Sequence, residues 1–245
     1  TGFLGAGKTT FLKNFARQFA GRRLRLIINE FGRAGVDGTL LRELDAALDE
    51  ISNGSIFCAC RLDQFEAALE QAAADAPDVA LVEASGLADP TNVRRVLAQF
   101  PAVSYQGSVC VADAARLEKV FSTARACPRQ LAVSSLVLLN KTDLATEAQC
   151  AEAKALILRA NPAARIRRTQ FGRFEPEWLS LIVPDVDVDE VLDMPDITLQ
   201  KAVLQIRPTM PLAALQKCLV QLAGETWRIK GFVRVPEGCL LYTSP

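Results

Sequence analysis

The chain has 245 residues, half of them hydrophobic, with 28 basic and 28 acidic side chains and no histidine. This length can bury one large core and a smaller second one. The balanced charge provides no basic field for nucleic acid or an anionic membrane, and no apolar run reaches the roughly 20 residues of a membrane span. The seven dispersed cysteines are typical of a reduced cytosolic protein. We therefore expect a cytoplasmic protein without nucleic-acid or membrane partners.

A glycine-rich motif opens the chain and runs directly into an amphipathic helix. Residues 2–9 match the pattern G-x-x-x-x-G-K-[ST], which predicts a phosphate loop for a nucleoside triphosphate. Its glycines let backbone N–H groups turn toward phosphate oxygens, and the helix adds its positive end. Lys8 reaches the outer phosphates, and Thr9 offers a hydroxyl to Mg2+. The nucleotide-binding residues predicted here are Gly2, Gly5, Ala6, Gly7, Lys8, Thr9 and Thr10.

A phosphate loop of this kind is the turn between a buried strand and its helix. The sequence opens on Thr1 without a preceding apolar run. We therefore expect the first strand of the sheet to be missing from this sequence.

The following elements alternate between short apolar runs and helical periodicity, which predicts a mainly parallel sheet with helices on both faces. Predicted strands cover residues 24–28, 79–82, 108–111, 136–139 and 165–169. Predicted helices cover residues 8–20, 36–48, 61–74, 89–100, 114–126 and 147–160. Between residues 51 and 61, Asn53-Gly54 indicates a tight turn joining two short extended pieces.

Acidic residues that follow predicted strands are candidates for Mg2+ binding and catalysis. Glu83 begins the sequence Glu-Ala-Ser-Gly after a strand, which is a Walker B arrangement. Its carboxylate can bind Mg2+ through water or orient the attacking water, so Lys8 and Glu83 are the predicted catalytic residues. The alternative is an acidic residue that only stabilises a helix N-terminus. Gly86 is expected to contact the nucleotide, and Asp37 is a weaker Mg2+ candidate.

A second nucleotide motif follows the strand predicted at 136–139. Asn140, Lys141, Thr142 and Asp143 fit the pattern N-K-x-D. The Asp143 carboxylate can accept both N1–H and the exocyclic amine of guanine, a two-point contact that adenine cannot supply. The motif therefore favours GTP over ATP, with Asn140, Lys141 and Asp143 as binding residues; the alternative is a surface loop. The loop 170–172 is expected to border the base.

The composition changes near residue 184. Residues 184–196 contain six acidic side chains and two prolines, a composition that cannot build a core. We interpret residues 184–197 as a linker between a P-loop domain at 1–183 and a small α+β domain at 198–245, in which strand, helix and strand are expected at 199–206, 211–222 and 226–235. Residues 240–245 show no stop signal, so this domain is expected to be incomplete and its end non-native or truncated.

Taken together, these motifs resemble the CobW-type family of P-loop GTPases, relatives of the nickel-inserting GTPases for hydrogenase and urease. The resemblance covers most of the chain. It implies an N-terminal GTPase domain, a smaller C-terminal domain, and GTP-dependent delivery of a metal ion or assistance to metallocofactor assembly. The stretches that carry it are residues 1–10, 29–32, 52–54, 83–90, 140–143 and 228–232.

The expected metal motif departs from the family pattern. The family typically carries Cys-x-Cys-Cys after Asn-Gly, whereas this chain has Ser55-Ile56-Phe57-Cys58 and adds Cys60. In extended backbone, Cys58 and Cys60 point to one face and can bind a soft ion such as Zn2+ or Co2+, with Glu30 as a third ligand. The alternative is a buried or redox-active pair. The other five cysteines are isolated and are expected to be core or surface thiols.

The sequence thus predicts a GTP-hydrolysing metallochaperone that uses GTP and Mg2+ and acts on a metalloprotein or cofactor-enzyme client. One alternative is a GTP-dependent assembly switch without its own metal site. Another is a P-loop kinase that phosphorylates a small molecule. The metal, the client and the oligomeric state stay open, including a nucleotide-dependent dimer.

Overall fold

The computed structural model describes residues 1–30, 46–52, 62–184, 211–225, 230–236 and 238–243. The chain divides into two units, Thr1–Ile197 and Thr198–Pro245. Most of the linker expected at 184–197 lies outside the described residues. Within the described ranges, no helix combines the length and the hydropathy that crossing a membrane requires.

The first unit contains a three-stranded parallel sheet in the order β2-β1-β3. Its strands are β1 (Leu24–Glu30), β2 (Ala47–Ser52) and β3 (Val79–Glu83). The register places Ile28 opposite Glu83, so the carboxylate expected to act at the site lies where β3 ends. Parallel strands share one carboxyl edge, and ligands of open α/β sheets bind there.

A second parallel sheet has the order β4-β5-β6. Its strands are β4 (Val109–Asp113), β5 (Leu136–Asn140) and β6 (Arg165–Arg168). Every residue of β4 and β5 is buried, as expected for parallel strands covered on both faces. Thr1 extends this sheet: its nitrogen donates to the Val109 carbonyl over 2.7 Å, and the Val111 N–H donates to the Thr1 carbonyl over 3.0 Å.

The helices of the first unit follow the strands in alternation, which confirms the predicted α/β class. Two short 3-10 helices cover Arg17–Phe19 and Pro176–Leu181. The α-helices are α1 (Lys8–Ala16), α2 (Leu62–Asp75), α3 (Val93–Leu97), α4 (Leu117–Thr123), α5 (Ala126–Ala132) and α6 (Glu147–Ala160).

Helix α1 packs against both sheets at once. Phe11 and Phe15 lie in one buried cluster with Val111 and Leu138 of the second sheet. Leu12, which follows Phe11 in the same helix, lies in another cluster with Leu24, Leu26 and Ile28 of β1. The helix therefore has two apolar sides, and its N-terminus is fixed relative to the strand ends of both sheets.

The opposite face of β1 is covered by α2 and α3. Ile27, which alternates with Leu26 and Ile28 along the strand, packs with Phe65 and Leu69 of α2 and with Val96 of α3. Helices on both faces of a parallel strand explain the continuous apolar run at 26–28, because neither side of the strand faces water.

A buried arginine joins β1 to its neighbours. Arg25 donates to both carboxylate oxygens of Asp49 on β2, at 2.6 and 2.9 Å, and also pairs with Asp75 at the end of α2. A bidentate arginine–carboxylate pair is geometrically specific as well as favourable. This pairing fixes the register of β2 against β1 at the buried end of the sheet.

The second unit contains α7 (Leu212–Glu225), β7 (Lys230–Val235) and β8 (Gly238–Thr243) among its described residues. The two strands form an antiparallel hairpin, with Phe232 opposite Leu241. The strand predicted at 199–206 lies outside the described residues.

The structure corrects three element predictions. The helix expected at 36–48 cannot extend to Leu48, because residues 47–52 form β2, whose Asp49 binds Arg25. The helix expected at 114–126 shortens to α4, Leu117–Thr123, and the helix expected at 89–100 shortens to Val93–Leu97. Two elements were not predicted: α5 at Ala126–Ala132, and β8, which pairs with β7.

The central position of β5 gives a testable consequence. Leu138 is 0% exposed and lies in the cluster that holds α1. Replacing Leu138→Ala should lower the free energy of unfolding by about 2–5 kcal/mol, because it removes buried methyl groups and leaves a cavity. Urea unfolding followed by circular dichroism measures this loss.

The matched control is Leu158→Ala on α6, where the same side chain is 37% exposed. That change should cost less than about 1 kcal/mol. Equal losses for the two variants would contradict the assignment of Leu138 to the core.

Candidate nucleotide site at the carboxyl edge of the sheets

The phosphate loop at residues 2–9 is built from backbone conformations that favour glycine. Gly2, Gly5 and Gly7 have φ angles of 138°, 77° and 100°, all in the region that side chains rarely adopt. A Cβ at Gly2 would overlap the Val111 carbonyl oxygen, and a Cβ at Gly7 would lie 2.5 Å from the Asn140 side-chain nitrogen. The glycine pattern therefore reflects both dihedral angles and close contacts.

The N-terminus of α1 is open to an anion. Gly7 occupies the N-cap position, where it provides no side-chain cap, and the first turn of this fully described helix contains no acidic residue. Gly7 therefore supplies no side-chain acceptor to the N–H groups of this turn, and the helix dipole adds positive potential. Thr9 and Thr10 are exposed in the same turn.

Lys8 folds back over the phosphate loop. Its Nζ donates to the Phe3 carbonyl oxygen over 3.1 Å. The ammonium group thus contacts the backbone of the phosphate loop itself. This is the position from which a lysine can reach phosphate oxygens held by the loop.

The segment that follows β3 lies against the phosphate loop. Glu83 ends β3, and a Cβ at Gly86 would lie 2.7 Å from the Leu4 nitrogen and 3.0 Å from the Leu4 Cα. Only glycine allows the two backbones to approach this closely. The fold therefore brings the predicted Glu83-to-Gly86 turn beside residues 2–9.

Asn140 connects the phosphate loop to the second sheet. It is 2% exposed; its Nδ2 donates to the Ala6 carbonyl over 2.9 Å, and its Oδ1 accepts from the Gly172 N–H over 3.0 Å. The amide uses both of its ends between two loops that are far apart in sequence. The first residue of the N-K-x-D motif therefore fixes the phosphate loop relative to the loop after β6.

Lys141 and Asp143 are the other two defining residues of the N-K-x-D motif. Lys141 has a φ of 60° and its Nζ lies 3.0 Å from the buried Asp113 carboxylate, at the end of β4. Asp143 is exposed, two residues beyond it. The structure thus turns the chain so that Asn140 points to the loops, Lys141 to β4 and Asp143 lies at the surface.

The loop after β6 borders the same motif. Thr142 donates from its N–H and its hydroxyl to the Thr169 carbonyl, at 3.4 and 3.1 Å. Asn14 of α1 donates to the Phe171 and Gly172 carbonyls, at 3.1 and 2.9 Å. Phe171 is 64% exposed with a φ of 54°. The loop 170–172 therefore lies between the N-K-x-D motif and α1.

The segment after β3 is also anchored on its far side, by α5. Gln130 Nε2 donates to the Gly86 and Ala88 carbonyls, at 3.1 and 2.9 Å, and Arg129 pairs with Asp89. Burial alone would raise the pKa of Asp89. The hydrogen bonds from Thr91 and Arg129 outweigh burial, so the net pKa of this carboxyl is lowered and it stays ionised.

Several predicted site residues lie outside the described part of the chain. They are Asp37, Cys58 and Cys60; Glu30 ends β1, but its side chain is not described. Within the described residues, no group of three or more cysteine, aspartate or glutamate side chains is arranged to hold a metal ion. The roles predicted for these four residues stay predictions.

The cysteines expected to be core thiols include three buried ones: Cys110, Cys127 and Cys150. Burial raises the pKa of the Cys110 thiol to about 11 and that of Cys127 further. Cys110 and Cys127 are therefore protonated at neutral pH and poor nucleophiles.

Sequence analysis missed three residues that organise the site: Asp113, Gln130 and Asn14. Asp113 carried a usable signal, because an acidic residue directly after a buried strand lies at the carboxyl edge. Gln130 and Asn14 sit within helices, and only the tertiary packing shows which loops their amides reach.

A glycine loop, a helix N-terminus and an N-K-x-D motif joined at the carboxyl edge of parallel strands define a P-loop nucleotide-binding domain. Residues 1–168 match the family model described as the CobW/HypB/UreG nucleotide-binding domain. The chain belongs to this family, which confirms the resemblance inferred from its motifs.

Curated relatives match well over half of the chain. A zinc chaperone named CobW from Pseudomonas aeruginosa is 32% identical over 200 residues, covering 67% of this chain and 53% of the relative. The zinc chaperone YjiA of Escherichia coli is 29% identical over 159 residues, covering 61% of this chain and 50% of the relative. The chain therefore spans about half the length of these curated relatives.

A third relative and a solved structure extend the comparison. A zinc-regulated GTPase metalloprotein activator of Schizosaccharomyces pombe is 27% identical over 207 residues, covering 79% of this chain and 47% of the relative. The crystal structure of the Zn(II)-bound YjiA GTPase from Escherichia coli aligns with a TM-score of 0.54 and 19% identity over 99% of this chain and 83% of that chain. At this identity, the structural likeness supports the fold alone.

The double contact of Asn140 predicts a measurable stability loss. Asn140→Ala should lower the free energy of unfolding of the nucleotide-free chain by about 1–3 kcal/mol, because it leaves the Ala6 carbonyl and the buried Gly172 N–H without their partner. Thermal and urea unfolding measure the loss.

Asn14→Ala is the matched control, since it removes an amide that contacts the same loop from a more exposed position. Water can replace those bonds, so this variant should lose less. An equal or larger loss in Asn14→Ala would argue against a special role of the buried bridge.

Proposed function

We propose that this chain binds GTP and hydrolyses it to GDP and phosphate, and that the cycle drives delivery of a metal ion or assistance to metallocofactor assembly in a client protein. The observation that carries the proposal is the Asn140 bridge, because one buried side chain joins the phosphate loop to the guanine-type motif. The bridge holds the loop proposed to bind the phosphates and the motif proposed to bind the base together at the carboxyl edge of the sheets.

The phosphates are bound by the loop and the first turn of α1. Backbone N–H groups of residues 5–9 supply hydrogen bonds, and the helix N-terminus supplies positive potential. Lys8, now on the Phe3 carbonyl, exchanges this neutral acceptor for a phosphate oxygen. Charge-assisted hydrogen bonds are about twice as strong as neutral ones, so this exchange favours the nucleotide-bound state.

The residues of this chain fit Mg2+ as the nucleotide's counterion. Thr9 has an exposed hydroxyl beside the loop, and Glu83 ends the adjacent strand; both are oxygen ligands, which Mg2+ prefers. When bound, Mg2+ neutralises charge that develops on the phosphates. Glu83 would either bind Mg2+ through water or orient the attacking water, and Lys8 would stabilise the charge that develops on the transferred phosphoryl group.

Guanine is selected by Asp143. Lys141 is held in place by Asp113, which fixes the turn that presents Asp143 at the surface. A carboxylate that accepts two hydrogen bonds from guanine is left unpaired by adenine. The loop 170–172, tied to Asn140 and to α1, forms the neighbouring wall of the base site.

The metal function is supported by the family and by the names of the three relatives, two zinc chaperones and one zinc-regulated GTPase metalloprotein activator. In this chain, Cys58 and Cys60 are the proposed thiolate ligands of a Zn2+ or Co2+ cargo, with Glu30 as a third ligand. The proposal assigns the GTPase machinery to residues 1–183 and the family's smaller domain to residues 198–245. Its client is a metalloprotein or cofactor enzyme.

Nucleotide choice tests the core of the proposal. GTP should bind well ahead of ATP, and Asp143→Asn should lower GTP affinity by a few kcal/mol, because the acceptor for guanine becomes a donor. The variant should instead favour xanthosine triphosphate. Isothermal titration calorimetry with GTP, ATP and xanthosine triphosphate measures the affinity of each chain for each nucleotide.

Two controls accompany this measurement. Glu152→Gln removes one exposed negative charge from α6 and should leave the preference unchanged. Lys8→Ala should abolish binding of every triphosphate, because it removes the phosphate contact shared by all bases. Equal GTP and ATP affinity in the unmodified chain would refute the guanine assignment.

The metal assignment is tested by Co2+ titration of the fully reduced chain, with and without GTP. Thiolate ligands should give a sulfur-to-cobalt absorption band, and affinity should fall steeply as the pH drops and the cysteines reprotonate. If Glu30 connects the metal to the nucleotide edge, GTP and Co2+ should each raise the affinity of the other.

The variant Cys58→Ser/Cys60→Ser should lose this absorption band and retain GTP binding. The matched control is Cys150→Ser, which changes a buried thiol elsewhere in the domain. No band in the unmodified chain, or an unchanged band in the double variant, would favour a GTP-dependent assembly switch without its own metal site.

A further inference from the structure

The segment that follows β3 is held between two surfaces. On one side, Gly86 lies so close to Leu4 that a Cβ would be 2.7 Å from the Leu4 nitrogen. On the other side, the Gly86 and Ala88 carbonyls accept hydrogen bonds from Gln130 Nε2, at 3.1 and 2.9 Å. The main chain at Gly86 is therefore sandwiched between the phosphate loop and α5.

The orientation of the Gln130 amide follows from its partners. Both acceptors are carbonyl oxygens, so the amide nitrogen must face them; a rotated amide would place its oxygen against two other oxygens. Gln130 is 1% exposed, and its Oε1 is buried without a hydrogen-bond partner. A buried unsatisfied amide oxygen is costly, and such groups in folded proteins call for a reason.

The neighbouring residue on α5 anchors the same segment. Arg129 pairs with Asp89, whose carboxylate also accepts from the Thr91 N–H and hydroxyl at 3.1 and 2.8 Å. Consecutive residues of α5 thus hold both ends of residues 86–89. This arrangement fixes the position of the segment rather than adding one isolated contact.

We infer that Gln130 is a positioning residue for the terminal phosphate of the nucleotide: its amide nitrogen holds the Gly86 and Ala88 carbonyls on α5, which keeps the Gly86 backbone against the phosphate loop. The inference rests on the proposed function. Glu83, at the start of the same segment, is proposed to act at the terminal phosphate, so this segment is expected to lie at the terminal-phosphate end of the site, which a diphosphate leaves empty. Gln130 should therefore affect the binding of GTP more than that of GDP.

The test uses Gln130→Met in the full chain, because methionine keeps the length of the side chain and removes the donor. Calorimetry with Mg2+ measures dissociation constants for GDP and for a GTP analogue with a β,γ-imido bridge. The affinity for the analogue should fall about tenfold, the scale of two lost neutral hydrogen bonds, while GDP affinity changes less than about twofold. The turnover number for GTP should also fall.

A matched control separates positioning from general stability. Asn161 is likewise buried, and its Nδ2 donates to the Leu131, Ala132 and Ser134 carbonyls, at 3.1, 3.2 and 2.9 Å, at the C-terminal end of α5 but away from the segment after β3. Asn161→Leu should lower the melting temperature without changing the ratio of GTP-analogue to GDP affinity. If both variants change that ratio equally, Gln130 only stabilises α5 and the inference is overturned.

A second measurement covers the case in which Gln130→Met fails to fold. Amide hydrogen exchange of the unmodified chain should show stronger protection of residues 86–89 with the GTP analogue than with GDP. Equal protection would overturn the inference, as would equal losses of analogue and GDP affinity in Gln130→Met. An unmodified chain that binds neither nucleotide would overturn the proposed function itself, whereas normal binding with an unchanged ratio in the variant overturns only the role of Gln130.

Discussion

The two-sided burial of α1 is the constraint on which the rest of the first unit depends. Phe11 and Phe15 pack on the second sheet, and Leu12 packs on β1. Burying three such side chains contributes about 5–9 kcal/mol, an upper estimate that is comparable to the net stability of a domain. Because the helix cannot shift without exposing one of these sides, its N-terminus stays at the strand ends, and the phosphate loop stays with it.

Polar contacts then connect the loops that apolar packing has brought together. Asn140 joins the phosphate loop to the loop after β6, Lys141 joins the base motif to β4, and Gln130 joins the segment after β3 to α5. Buried amides are costly when unpaired, so each of these bonds specifies one arrangement of two loops. The proposed nucleotide site is consequently a set of loops whose positions these bonds fix, and the groups proposed to contact the nucleotide are backbone N–H groups, Lys8 and Asp143.

The same logic explains where residue patterns and structure differ. Leu40, Leu41, Leu44 and Leu48 recur at helical spacing, yet Leu48 belongs to β2, because Asp49 meets Arg25 only when this stretch pairs with β1. One helix was expected at 114–126, whereas the structure has α4 at 117–123 and a separate helix, α5, at 126–132. Helix α5 carries Arg129 and Gln130, which reach the segment after β3.

The sequence by itself determined the class of fold, the phosphate loop and the guanine-type motif, because these depend on local spacing: glycines where φ is positive, a lysine after them, and polar residues directly after apolar strands. The predicted bounds of α6, 147–160, also match the structure, in which a capping box between Thr146 and Gln149 fixes the start of this helix. Only the tertiary structure decided that Asn140 bridges two loops, that Lys141 pairs with Asp113, and that Gln130 reaches Gly86 and Ala88. Those partners are separated by 28 to 134 residues, and no local pattern encodes which distant carbonyl or carboxylate a side chain will meet.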